Sequence, residues 1–100
     1  MIIKASIKDA KSIYRLISSF ARKGIMLSRS LNYIYENIRD FWVYKENNRL
    51  LGCCSLHVIG WNNLAEIKSL SVHPSAQKHG IGRDLIKMCM EEAAILGVRN

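Results

Sequence analysis

Leu70-Ser71-Val72-His73-Pro74-Ser75-Ala76-Gln77-Lys78-His79-Gly80-Ile81-Gly82-Arg83-Asp84-Leu85 decides how this chain is read. Leu70 and Val72 close an alternating strand, Pro74 marks a turn, and a short basic loop with Gly80 and Gly82 opens an amphipathic run. The first N–H groups of a helix have no acceptor within the helix, and glycines let a ligand approach them closely. Lys78, His79 and Arg83 surround those donors with positive charge. Such a corner suits a phosphate or pyrophosphate held by main-chain donors. The dinucleotide fingerprint G-x-G-x-x-G does not fit, because its third glycine falls on Leu85. The triphosphate loop G-x-x-x-x-G-K-S/T is absent as well.

Working outward, Ile2 to Ala5 reads as a first strand. Ser6-x-x-Asp9 is a capping-box-like start for a helix carrying Ala10, Ile13, Ile17, Phe20 and Ala21 on one stripe, with Gly24 as its stop. Ser30 caps a second helix with Leu31, Ile34, Tyr35 and Ile38 on one face. The period then shortens. Phe41-Trp42-Val43-Tyr44 is aromatic and β-branched, and Asn47-Asn48 suits the positive φ of a tight hairpin. Leu50 to Ile59 is the next strand, with Gly52 as a bulge signal. A Gly60-Trp61-Asn62-Asn63 turn leads to the strand from Leu64 to His73. Ile81, Leu85, Met88, Cys89, Ala93 and Leu96 stripe the last helix, which Gly97 ends. The order β-α-α-β-β-β-α is an α+β class of fold, in a single domain over residues 1–100.

The composition, 49% hydrophobic and 23% charged, is that of a globular chain. No apolar run nears the ~18 residues of a membrane span, and Met1 to Ser6 lacks the pattern of a signal peptide; the expected location is cytoplasmic. Cys53, Cys54 and Cys89 have no metal-ligand spacing, so reduced, buried thiols and no bound metal are expected. Cys53 and Cys54 point to opposite faces of their strand. The net charge of +7 raises nucleic acid as a partner, but the fifteen Lys and Arg residues are scattered without a basic stripe. An anionic small ligand accounts for the charge equally well.

Gln77-Lys78-His79-Gly80-Ile81-Gly82 also fits Q/R-x-x-G-x-G/A, directly after a strand ending Leu-x-Val-x-Pro. That combination resembles the pyrophosphate loop of the GNAT superfamily of acetyl-CoA-dependent N-acetyltransferases. The resemblance implies a mixed, mostly antiparallel sheet flanked by helices. It covers the chain to its end, with the family's later strands beyond Asn100. A truncated domain with an open sheet edge is therefore expected, covered by a homo-oligomer or partner chain. The resemblance also implies acetyl-CoA as co-substrate, with Gln77, Lys78, His79, Gly80, Ile81, Gly82 and Arg83 at its pyrophosphate. Leu70, Ser71 and Val72 would run along its pantetheine, while by alternation alone the Leu70 and Val72 side chains read as core. Glu66, in an Ala-Glu-Ile context, is the candidate general base for the acceptor amine.

Lys23 to Leu31, with Ile38-Arg39-Asp40-Phe41 and Gly52-Cys53-Cys54-Ser55-Leu56-His57, looks like the short N-acetylglutamate-synthase-type acetyltransferases. Those relatives mostly carry Pro where this chain has Ser28. The likeness makes Arg29 the candidate for binding a substrate carboxylate through its planar fork, with Lys68 as a second contact. An amino acid such as glutamate is the implied acceptor. His57 and His73 read as structural or exposed, and His79 as a phosphate neighbour. Two other classes stay open: a non-catalytic module that binds CoA or a partner, and a small basic nucleic-acid binder.

Overall fold

The computed structural model describes residues 1–60 and 62–98. Strand β1 (Ile2–Lys4) leads through a 3-10 turn into helix α1 (Ala10–Arg22), and α2 (Leu31–Glu36) follows. The hairpin β2 (Phe41–Glu46) and β3 (Arg49–Ile59) continues into β4 (Leu64–Val72), and α3 (Ile81–Leu96) closes the chain. The four strands form one antiparallel sheet in the order β1-β2-β3-β4. β4 is thus an edge strand, with no neighbour on its outer side among the described residues.

Local chemistry accounts for most boundaries. The Ser6 N–H donates to Asp9 Oδ2 at 2.8 Å, as the capping pattern implies. Ser30 Oγ accepts from the Tyr33 N–H at 3.0 Å and opens α2. Asn47 and Asn48 take φ of 52° and 63°, the left-handed pair a two-residue hairpin demands. Helix α2 is shorter than its apolar face implies, because Ile38 belongs to a separate 3-10 turn, Ile38–Asp40. At that end the Tyr33 carbonyl accepts both the Asn37 N–H at 3.0 Å and the Asn37 side chain at 2.9 Å. The expected bulge lies beside Gly52: Tyr44 pairs with Gly52 and Lys45 with Leu50, leaving Leu51 as the extra residue. The turn expected at Trp61 lies outside the described residues.

The sheet has a helix layer on each face. On one, α1 and α2 pack Ala10, Ile13, Leu16, Ile17 and Ile34 against Phe41, Val43 and Cys53. On the other, α3 packs Ile81, Leu85 and Cys89 against Leu51, Cys54 and Leu56. Adjacent Cys53 and Cys54 therefore serve opposite cores, as strand alternation requires.

Asp9 is a buried charge in this frame, 2.6 Å from Lys45 Nζ. Burial works against its ionisation, but Lys45 and the Ser6 N–H outweigh that and hold its carboxyl below the usual carboxylate range. The resulting stability is complete above the unfolded carboxylate value near pH 4 and is lost as pH falls through the lower folded value. Thermal melts of Asp9→Asn should show a weaker acid dependence below about pH 4. At neutral pH the loss should be about 2 kcal/mol, less than for a fully buried pair because Lys45 reaches water.

Candidate functional site

One irregularity in β4 organises the site. Cys53 pairs with Ser71, but Ser55 pairs with Lys68, so Ser69 and Leu70 together oppose Cys54. Ser69 takes φ of 61°, in the left-handed region. The bulge is built rather than accidental. Ser55 Oγ donates to the Lys68 carbonyl at 3.0 Å, and Cys53 Sγ lies 3.5 Å from the Ser69 carbonyl. The extra residue changes which side chains share a face. Glu66 and Lys68, opposite His57 and Ser55, lie on the α1/α2 side. Beyond the bulge Ser71 takes that side, next to Met26 with Oγ 3.3 Å from its sulfur. Leu70 and Val72 turn towards α3, where a Cβ on Gly82 would touch both. Simple alternation therefore fails at Leu70, which is 38% exposed instead of a core residue.

The last turn of β4 delivers the backbone to its open edge. The His73 N–H donates to the Leu51 carbonyl at 2.7 Å, facing β3, so by alternation the main-chain groups of Val72 face outward. The Gln77 side chain donates to that Val72 carbonyl at 2.9 Å and ties the loop to the strand. His73 is structural, as expected: its Nδ1 accepts from the Ser75 N–H at 3.1 Å and caps the 3-10 turn Pro74–Ala76. Lys78 and Gly80 then adopt φ of 69° and 79°. Helix α3 starts at Ile81 with no side-chain cap, unlike α2, so the first-turn N–H groups of Ile81, Gly82 and Arg83 have no acceptor from within the helix or a capping side chain. The Ile81 side chain is core, and only its backbone belongs to this corner. Lys78, His79 and Arg83 are exposed around it. A cleft of ≈ 550 Å³, walled by Ser75, His79 and Asp84 among others, abuts the loop. Another, of ≈ 620 Å³, lies between α1 and the hairpin and reaches His73 and Pro74, with neither Glu66 nor a loop glycine in its wall.

On the α1/α2 side, Arg29 and Lys68 converge on one aromatic ring. The Arg29 guanidinium carbon stands 5.2 Å and Lys68 Nζ 5.5 Å from the centre of Tyr33. Arg29 Nε is buried and has no hydrogen-bond partner among the described residues, whereas most buried donors are paired with protein or water. Glu66 is exposed, with its carboxylate 3.9 Å from Lys68 Nζ. Across the ladder from Glu66, His57 Nδ1 lies 2.7 Å from Asp40 Oδ2, a contact that the sequence reading did not contain. No short-range pattern marks it, because the two residues lie 17 positions apart in sequence.

Cys53 and Cys54 are buried, one in each core. Burial pushes the Cys53 thiol up to about 12, and the Cys89 hydrogen bond with burial also raises Cys54, so both stay protonated. No group of His, Cys, Asp or Glu among the described residues could hold a metal ion. No helix among them is long and apolar enough to cross a membrane.

Residues 9–100 match the acetyltransferase (GNAT) family. The chain is 41% identical over 83 residues to an uncharacterized N-acetyltransferase of Chlorobaculum tepidum, covering 83% of this chain and 53% of that protein. It is 31% identical over 96 residues to an amino-acid acetyltransferase of Mycobacterium tuberculosis, covering 93% and 54%. The chain thus spans about half the length of these curated relatives. Among solved structures, N-acetylglutamate synthase from Neisseria gonorrhoeae, complexed with coenzyme A and N-acetyl-glutamate, superposes with a TM-score of 0.93 at 31% identity. That match covers 98% of this chain and 23% of that one. A Mycobacterium tuberculosis protein solved with CoA gives 0.90 at 29% identity, covering 99% and 60%.

The two glycines of the loop differ in kind, and substitution separates them. Gly80 needs its left-handed φ, so Gly80→Ala should cost about 1 kcal/mol and lower Tm by roughly 4–8 °C. Gly82 is helical, and an added Cβ would meet only ordinary contacts at 3.7 Å and beyond. Gly82→Ala should leave Tm unchanged or raise it, by up to about 1 kcal/mol of helix propensity. Calorimetric melts of both variants check the pair of signs.

Proposed function

The chain belongs to the acetyltransferase (GNAT) family, and on that premise we propose that it moves an acetyl group from acetyl-CoA to the amine of an amino acid, with glutamate the favoured acceptor. The co-substrate supplies its acetyl group as a thioester, already activated for attack by nitrogen. What the chain adds is binding, orientation and proton handling.

The N–H groups of Ile81, Gly82 and Arg83 receive pyrophosphate oxygens at the uncapped start of α3, where the helix dipole favours negative charge. Lys78, His79 and the Arg83 side chain screen that charge. The outward main chain of Val72, flanked by Leu70 and Ser71, offers strand-like pairing to the pantetheine amides. Glu66, on the opposite side of the bulge from the α3 core, takes a proton from the acceptor amine.

One observation carries the choice of an amino acid: the buried, unpartnered Nε of Arg29 beside Lys68 on the Tyr33 ring. A carboxylate is the partner that this donor lacks, since it accepts two parallel bonds from a guanidinium. The second cation suits the second carboxylate of a dicarboxylic acid. The names of the relatives, amino-acid acetyltransferase and N-acetylglutamate synthase, support the same acceptor class.

Two measurements test this reading. Steady-state kinetics of Arg29→Ala should show KM for glutamate raised about 10- to 100-fold, the worth of charged hydrogen bonds, with KM for acetyl-CoA unchanged. Equal use of amines with and without a carboxylate would overturn the acceptor assignment. In calorimetric titrations, Gly80→Glu should abolish acetyl-CoA binding while Gly80→Ala, which shares the backbone strain without the charge, retains it.

A further inference from the structure

We propose that His57, held in one tautomer by Asp40, is a second proton acceptor for the reacting amine; the inference rests on the acetyl-transfer reading above. The stoichiometry requires two proton removals. An amine arrives in water as R–NH3⁺ and leaves as an amide, R–NH–CO–CH3. A C–N bond forms, the C–S bond breaks, one proton ends on the departing sulfur and one reaches solvent. Nitrogen must lose the first proton before its lone pair can attack, and the second as the amide forms. A lone carboxylate that has taken the first cannot receive another until it has discharged.

The ladder puts a second group at the required place. His57 and Glu66 are directly opposed on β3 and β4, which sets their Cβ atoms about 4.5–5.5 Å apart on one face. This is the face on which Lys68 and Arg29 meet Tyr33. Asp40 ends the 3-10 turn just before Phe41, whose pairing with Ser55 carries Asp40 alongside His57. A carboxylate oxygen accepts only, so the 2.7 Å contact puts a proton on His57 Nδ1 and leaves a lone pair on Nε2 of the neutral ring. The same logic orients the imidazole of a serine-hydrolase triad. Nε2 has no hydrogen-bond partner among the described residues, in contrast to the turn-capping role of His73. With its side chain 37% exposed, His57 can pass a proton on to water. The charged groups the structure places at it are Asp40, its ion partner, and Glu66, opposite it in the ladder, with Lys68 beside Glu66.

In this assignment His57 is catalytic and Asp40 is a positioning residue. His57→Ala should lower kcat for the acceptor about 100-fold, leave KM for acetyl-CoA unchanged, and remove the imidazole contribution from the acid limb of the pH profile. Added imidazole should restore part of the rate, which a merely structural role would not allow. Asp40→Asn should lower kcat as well. In ¹⁵N spectra it should also move the ring proton from Nδ1 to Nε2. Unchanged kcat and pH profile in His57→Ala, with the wild type active on glutamate, would overturn this proposal and leave the acetyl-transfer reading intact. A neutral wild-type ring protonated on Nε2 would also overturn it. A protein that acetylates no amine would overturn both readings.

Discussion

The bulge at Ser69 is the constraint on which the rest of the site depends. A regular β4 would put Glu66, Lys68, Leu70 and Val72 on one face, and the strand would be either a core strand or a polar one. One extra residue splits it. The first half offers charged side chains to the α1/α2 layer, while the second half sends Leu70 and Val72 towards α3 and the glycine loop. A surface of charged side chains and a stretch of outward main chain thereby occupy consecutive halves of one strand.

Holding a left-handed serine in a strand requires satisfied carbonyls, and this explains polar residues in an otherwise apolar core. Ser55 and Ser71 are buried. Ser55 serves the Lys68 carbonyl, and Ser71 sits between Met26 and the Ser69 carbonyl. Cys53 contributes from the same face. A buried hydroxyl without a partner is costly, whereas here each closes a gap in the ladder that the bulge opened. The charged face of β4 and the sheet core are therefore coupled through a few short polar contacts.

The helix starts show how stability and function divide among similar features. The first helical segment and α2 are capped by Ser6 with Asp9 and by Ser30. Helix α3 is not capped; a left-handed glycine precedes it and its first amides are left open. Its anchoring comes instead from Ile81, Leu85 and Cys89 packed into the second core. That packing keeps the open amides at a set distance from the edge of β4 without using their hydrogen-bonding capacity.

Much of this was legible along the chain, because it rests on short-range chemistry. Helix stripes, the Asn47-Asn48 hairpin, the caps and the glycine loop each depend on residues within a few positions of one another. The loop segment also carried the family, since strand, proline and glycines follow in unbroken order. The bulge was not legible: a serine at a left-handed position carries no local signal, and alternation read straight through it to Leu70. The pairing of Asp40 with His57 and the meeting of Arg29 with Lys68 at Tyr33 join residues 17 and 39 positions apart in sequence. Such contacts exist only once strand register and helix packing are set, so no local pattern encodes them. Periodicity determines which face a residue belongs to; register and packing decide what it meets there.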